Sequence, residues 1–516
     1  MPIIQAETVN NTALVVPDLY VEIVPPQNLI LNGVPSNIVG VVGTANWGPI
    51  GLPVIVASMA DYHANFGPII ARKYDMATHV ATAVQQGTQN FRCVRASDGT
   101  DTAAASNIPG TAVALTARYT GSLGNQITVA MEPGSKPATW RLSVAAGGMR
   151  SEFFDNLAGD PTSFWQTLAN AVNTGTGART GPSRLIKLQT NGNVSAPASF
   201  SVTLGTTTSG TDGASGVGST QLAGQDGATR TGMYSLRGQG CALAVLADAD
   251  DPSTWGAQAA FSQEEGIYFI LIGPAGDSIT NAVTIKQAAG LDCYSTKMMH
   301  GDWLWWGDQV NGLTRLVSPQ GFIAGRLANL SPEQSALNKP IHGIIGSQRS
   351  GQPQSGEAAV YSSAELAVLF SAGIDVVSNP QPAGPFWGAR AGRNASYDPA
   401  RNGDNYARLT SYIARTLAAG MGRYVGQVIN DTLFKNIRGT LLSFLQSMLD
   451  HGLLGITGGT LPYSVICDIS NNPPARTGIG YVQADIQVRY QAINERFIVN
   501  LEGGQTVQVA RQTLPD

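Results

Sequence analysis

Residues 38–67 read IVGVVGTANWGPIGLPVIVASMADYHANFG, and the order of elements within them decides the fold class. Residues 38–42 contain no polar side chain, the pattern of a strand covered on both faces. Asn46-Trp47-Gly48-Pro49 supplies a turn, and 54–56 a second strand. Ser58 can cap a short helix through Tyr62 and Phe66, closed by Gly67. Working outward, 76–86 reads as a helix and 90–95 (NFRCVR) as another strand. The alternation resumes downstream, with buried-type strands at 242–246 and 268–272 and candidate helices at 280–289 and 363–372. The expected class is α/β and multidomain.

The chain's 516 residues are too many for one ordinary core. A hydrophobic fraction of 43% suits globular cores and argues against disorder. Charged residues are only 13%, against roughly 25% in a typical soluble domain, which fits a surface largely covered by other subunits. The formal net charge of -4 gives no basic excess for phosphates, so direct nucleic-acid binding is not expected. The longest apolar runs, such as 266–273 (GIYFILIG), are too short to span a bilayer, and no membrane insertion is expected. The opening MPIIQAETVNN has neither the basic nor the apolar region of a secretory signal.

The parts differ in character. Residues 1–26 read as an N-terminal arm, in which Leu19, Val21 and Ile23 alternate with Tyr20 and Glu22 as in a strand. Pro25 and Pro26 stop it. A short strand isolated at a terminus needs an external sheet edge. Residues 27–100 with 226–390 form an α/β middle domain. Residues 101–225 are rich in Gly, Ser, Thr and Ala, and read as an inserted β-rich domain with a helix near 164–172 and a loose loop near 205–220. Residues 391–516 form a C-terminal domain. In it 405–419 shows helical spacing, and 431–451 is the clearest helix, with one stripe through Leu433, Ile437, Leu441, Phe444 and Met448. Val482, Ala484, Ile486, Val488 and Tyr490 then alternate with polar residues, giving a half-buried strand. Residues 496–502, which include Ile498 and Val499, are its expected antiparallel partner, and 506–509 a possible third strand.

No catalytic constellation emerges. GxSxG, GxxxxGK[ST], HExxH and EF-hand patterns are absent, and the five histidines have no metal-ligand spacing. Cys93, Cys241, Cys293 and Cys467 read as small buried hydrophobes with free thiols. The acidic stretch 248–251 (DADD) is either a cation site or, more simply, a solvated turn before Pro252. The tryptophans of 302–308 (DWLWWGD) are either a sugar platform or a buried core or subunit contact, the simpler reading. Lys435 and Arg438, three apart on the polar face of the 431–451 helix, can either grip an acidic partner or simply face solvent. No enzyme, cofactor or metal is expected.

Five segments, in order along nearly the whole chain, resemble the tail sheath proteins of contractile bacteriophages and R-type pyocins. Residues 17–22 (PDLYVE) are similar to that family's "PGVYVEE" arm, and 38–67 to its strand, "GP.N.P" turn, strand and "S..D....FG". Residues 119–127 (YTGSLGNQI) are similar to "PG.WGN.L", and 431–455 to a helix "LW..I...I..FL..L...G.L.G". The last segment, 467–501, is similar to the family's terminal strand pair. The resemblance implies a structural subunit that stacks as hexameric rings in a helical sheath around a tail tube protein, with baseplate and tail terminator proteins as further partners. It implies strand exchange between subunits through Leu19, Tyr20, Val21, Glu22 and Ile23 and through Ile486, Val488, Ile498 and Val499. It implies a tube-facing helix carrying Lys435 and Arg438, and hinges at Pro25, Pro26, Gly478 and Gly480. A phage virion assembled in the host cytoplasm is the expected setting, and a pyocin-like or other injection particle the alternative.

Overall fold

A computed structural model describes residues 3–4, 21–22, 31–158, 160–175, 181–351, 360–456, 458–501 and 503. Its centre is a seven-stranded sheet in the order Ile374–Asp375, Thr296–Met299, Tyr268–Ile272, Leu243–Leu246, Val39–Gly43, Phe91–Arg95, Pro53–Val56. All neighbours are parallel except the last pair. The three central strands, rich in Val, Ile and Leu, are buried along their whole length. A parallel sheet must be covered on both faces, because its crossover helices lie there. One face packs on the helices Met76–Val84 and Gln320–Ala328. The other packs on Trp255–Glu265, Ile279–Ala288 and Ser363–Ser371.

Ser58 caps the Met59–Phe66 helix by accepting from the Asp61 amide, as expected. The Gln320–Ala328 helix has no counterpart in the sequence reading, because Gly321 and Gly325 look like helix breakers. Packing needs them. A Cβ on Gly321 would stand 2.2 Å from the Thr82 hydroxyl, and one on Gly325 2.5 Å from the Ala83 Cα. The two helices touch backbone to backbone, which only glycine allows.

Residues 105–203 build their own core. A four-stranded antiparallel sheet (Glu152–Ala158, Thr139–Ala145, Thr128–Pro133, Phe200–Thr203) and a three-stranded one (Ile186–Gln189, Ala114–Ala117, Ala105–Asn107) enclose the Phe164–Thr174 helix. Trp47, from the turn of the opening stretch, reaches into this core and meets Tyr119 edge-on at 5.4 Å. The return path is not the expected loose loop. Thr211 bridges Thr102 and Thr208 bridges Ala105, while Asp212 pairs with Arg72 at 2.6 Å and accepts from the Ser122 amide.

One further expectation changes and another holds. Asp248 does not sit in a solvated turn. It is buried, with its carboxylate 3.1 Å from His79 Nε2 and its amide bonded to Gln320. The backbone at Asp248 takes φ +53, a turn that three acidic letters around Ala249 do not reveal. The tryptophans lie on or beside strand Leu304–Asp308, with Trp303 and Trp306 buried in the main core, the simpler of the two readings. All four cysteines are buried and free. Among the described residues no group of three metal-ligating side chains forms, and no helix is long and apolar enough to cross a membrane.

The sheet is tied to the helix Asp404–Met421 by a fully buried ionic knot. Lys297 Nζ lies 2.6 Å from Asp375 and 3.0 Å from Asp404, and Tyr268 donates to Asp404 at 2.6 Å. Burial opposes the Lys297 charge, but the two carboxylates outweigh it and hold the ammonium above its usual range. Along the same helix, Arg408 donates to the carbonyls of Leu330, Ser331 and Gln334, and Arg415 to that of Gly240.

Candidate assembly interface

Beyond this helix the chain builds a smaller unit from the Asp431–Asp450 helix and a two-stranded sheet. Asn430 caps the helix, its side chain accepting from the Leu433 amide at 2.8 Å. Asp431 stands in the first turn, where the helix dipole favours a carboxylate. Leu433, Phe434, Ile437, Leu441, Phe444, Leu445 and Met448 form the buried stripe. Lys435 and Arg438 are exposed on the opposite face. Among the described residues neither makes an ion pair, although Arg438 is near enough to help hold the Asp468 carboxyl below its usual range, behind the Ser470 hydrogen bonds.

Strand Asp485–Val488 confirms part of the expected terminal strand, but its partner is a correction. It pairs antiparallel with Tyr463–Ile466, in register Val465↔Ile486 and Tyr463↔Val488, not with 496–502. The sequence hid this strand because Pro462 precedes it and Cys467-Asp468 ends it, leaving too few residues for a visible alternation. Val465 is buried and Ile486 and Val488 are half-buried against the helix. The outer face carries Ser464, Ile466 and Gln487. Among the described residues no third strand joins either edge, so both edges present unpaired N–H and C=O groups.

The turn between these strands is cross-braced. Asn471 and Asn472 bond to the Ile466, Asp468 and Gln483 carbonyls and to Asp485. Gly478 caps a four-residue helix, and Gly480 takes φ +85 in the same turn. Ile469, Ile479 and Tyr481 are exposed around it.

The chain then leaves the unit. Ile498 and Val499 lie in no strand and stand 81% and 69% exposed, between Phe497 at 83% and Leu501 at 91%. A contiguous run of exposed apolar side chains is the kind of feature that marks interaction surfaces. The 506–509 stretch lies outside the described residues. At the other terminus Val21–Glu22 is a strand, paired in parallel with Ile3–Ile4, while Leu19, Tyr20, Ile23, Pro25 and Pro26 lie outside the described residues.

One feature escaped the sequence reading. Leu31 is buried in the C-terminal unit beside Leu409 and Ile413, and the Val34 amide donates to Thr416 across 382 residues of chain. The stretch 31–34 is thus rooted on the Asp404–Met421 helix, whose Leu409 and Ile413 share a core with the unit that carries the open sheet. A single leucine in LNGVP gave no periodic signal to announce it.

No family model matches the chain. No curated protein matches it either. Solved structures do match. A sheath tail protein from Listeria innocua superposes with TM-score 0.59 at 13% identity, covering 84% of this chain and 89% of its own. A sheath tail protein from Desulfitobacterium hafniense gives 0.55 at 13% identity, covering 86% and 92%. The contracted sheath of an extracellular contractile injection system, PVC, gives 0.54 at 11% identity, covering 95% and 98%. The chain has the mixed α/β fold of contractile-sheath proteins.

Proposed function

We propose that this chain is the structural subunit of a contractile tail sheath. It polymerises as stacked hexameric rings around a tail tube and contracts to drive the tube through a bacterial envelope. One observation carries the reading beyond fold: a two-stranded sheet that no third strand joins among the described residues, on the unit whose core also holds Leu31. A two-stranded sheet is marginal alone, and backbone ladders from added strands would complete it. The arm strand around Val21 and Glu22, with Leu19, Tyr20 and Ile23, would fill one edge of a neighbour. The tail with Ile498 and Val499 would fill another, beside Ile486 and Val488. Pro25, Pro26, Gly478 and Gly480 would absorb the rotation as subunits repack.

Lys435 and Arg438 would face the tube protein, baseplate and terminator proteins would close the ends, and no cofactor would be consumed. The site would be the virion tail, assembled in the host cytoplasm. An injection particle without a capsid is a second reading, favoured by the near-complete overlap with the PVC sheath.

Electron microscopy of the purified full chain, with and without residues 1–26, tests the proposal. Long hollow tubes of stacked rings, lost on deletion of the arm, support it. Discrete monomers or small closed oligomers across salt and concentration would overturn it.

A further inference from the structure

Resting on that assembly reading, we propose that the ion pair between Arg393 and Glu495 is a latch. It parks the C-terminal tail on the chain's own body and slows the tail's capture by another subunit.

The tail is held in two steps of unequal strength. The first is firm. The Tyr490 ring meets Tyr406 edge-on at 5.7 Å, its hydroxyl lies 3.1 Å from the Thr410 hydroxyl, and Asn405 donates to the Gln491 carbonyl at 3.1 Å. The second is a single contact. Arg393 Nη2 donates to Glu495 Oε2 at 2.5 Å, across 102 residues of chain. Between these points the tail crosses a groove of about 870 Å³, walled by Leu337, Leu366, Phe370 and Pro382. Past Glu495 the exposed run from Phe497 to Leu501 begins.

The receiving end of the latch cannot follow the tail. The Arg393 carbonyl accepts from Lys297 at 2.9 Å, so its backbone belongs to the buried ionic knot. Holding Glu495 there fixes the backbone just before the apolar run, and a tethered backbone cannot swing to align with another sheet's edge. The two side chains remain 20% and 35% exposed. Pairs this open contribute little, so the hold is weak enough to be broken by a competing ladder of hydrogen bonds.

Arg496 places a trypsin site directly after the latch, which reports on the hold without any assembly. Unassembled full chain is digested as wild type, Arg393→Gln and Arg393→Lys, and cleavage after Arg496 is followed by mass. In parallel, light scattering gives the lag before polymerisation, with Glu495→Gln as a further variant that leaves the body untouched. The expected result is cleavage roughly two- to fivefold faster for Arg393→Gln and near wild type for Arg393→Lys. The lag should shorten by a similar factor for Arg393→Gln and Glu495→Gln. Unchanged cleavage would overturn the latch, whatever the assembly does. Faster cleavage with an unchanged or longer lag would show a tail contact that gates nothing, and would overturn it too. If no form polymerises while cleavage responds as expected, it is the sheath reading that fails.

Discussion

Two sheets of this molecule are opposites. The seven-stranded sheet is finished: its central strands are wholly buried, helices cover both faces, and a buried ionic knot fastens it to the next helix. The Tyr463–Ile466/Asp485–Val488 sheet is unfinished: one face is covered, no third strand joins either edge among the described residues, and the chain leaves it for an exposed apolar run at 497–501. A domain that folds alone needs only the first kind. The second keeps edges to which further strands can add, the feature on which the proposed assembly rests.

The contrast can be broken by substitution. The largest effect belongs to the knot. Lys297→Met leaves two carboxylates facing each other in the dry interior, and should cost about 3–5 kcal/mol of unfolding free energy in urea titration. Paired truncations sharpen the comparison. Ile270→Ala, in the closed sheet, should cost about 2–5 kcal/mol, whereas Ile486→Ala in the open sheet of the unassembled chain should cost less than about 1.5 kcal/mol. Equal losses would erase the distinction.

Asp75 gives the closed region a pH signature. Desolvation at the start of the Met76–Val84 helix pushes its carboxyl up from 3.8 to about 6. Oδ2 accepts from the Thr78 amide and hydroxyl, while Oδ1 has no hydrogen-bond partner and can carry the proton. A carboxyl raised in the folded state stabilises below its unfolded value, and loses that contribution as pH rises through the folded one. Asp75→Asn does not titrate. Relative to wild type it should therefore gain up to about 3 kcal/mol between about pH 4 and pH 7, read by denaturation at each pH. The smallest effect is expected on the open unit's charged face. Lys435→Glu with Arg438→Glu should shift the chain's stability by less than about 0.5 kcal/mol, yet abolish co-sedimentation with tube protein.

What the sequence made legible follows the same divide. Uninterrupted apolar runs announced the buried strands, and a stripe with caps announced the Asp431–Asp450 helix nearly to the residue. Elements whose reason lies in a partner elsewhere in the chain stayed hidden. Gly321 and Gly325 make sense only against Thr82 and Ala83, and Asp248 only against His79. Tyr463–Ile466 was missed because it is short, and 496–501 carries a strand's pattern without a strand's partner. That last mismatch is the most informative, since a local preference left unmet within the chain is where the proposed strand addition would act.

Hydrogen–deuterium exchange on the full chain, before and after it assembles, tests this most directly. Amides of 463–466, 485–488 and 497–501 are expected to exchange readily in the single chain and to slow at least tenfold in the assembly. Those of 268–272 should be protected in both. If the open sheet is as slow in the single chain as in the assembly, or stays fast in both, it is not completed by neighbouring subunits and the central claim is wrong.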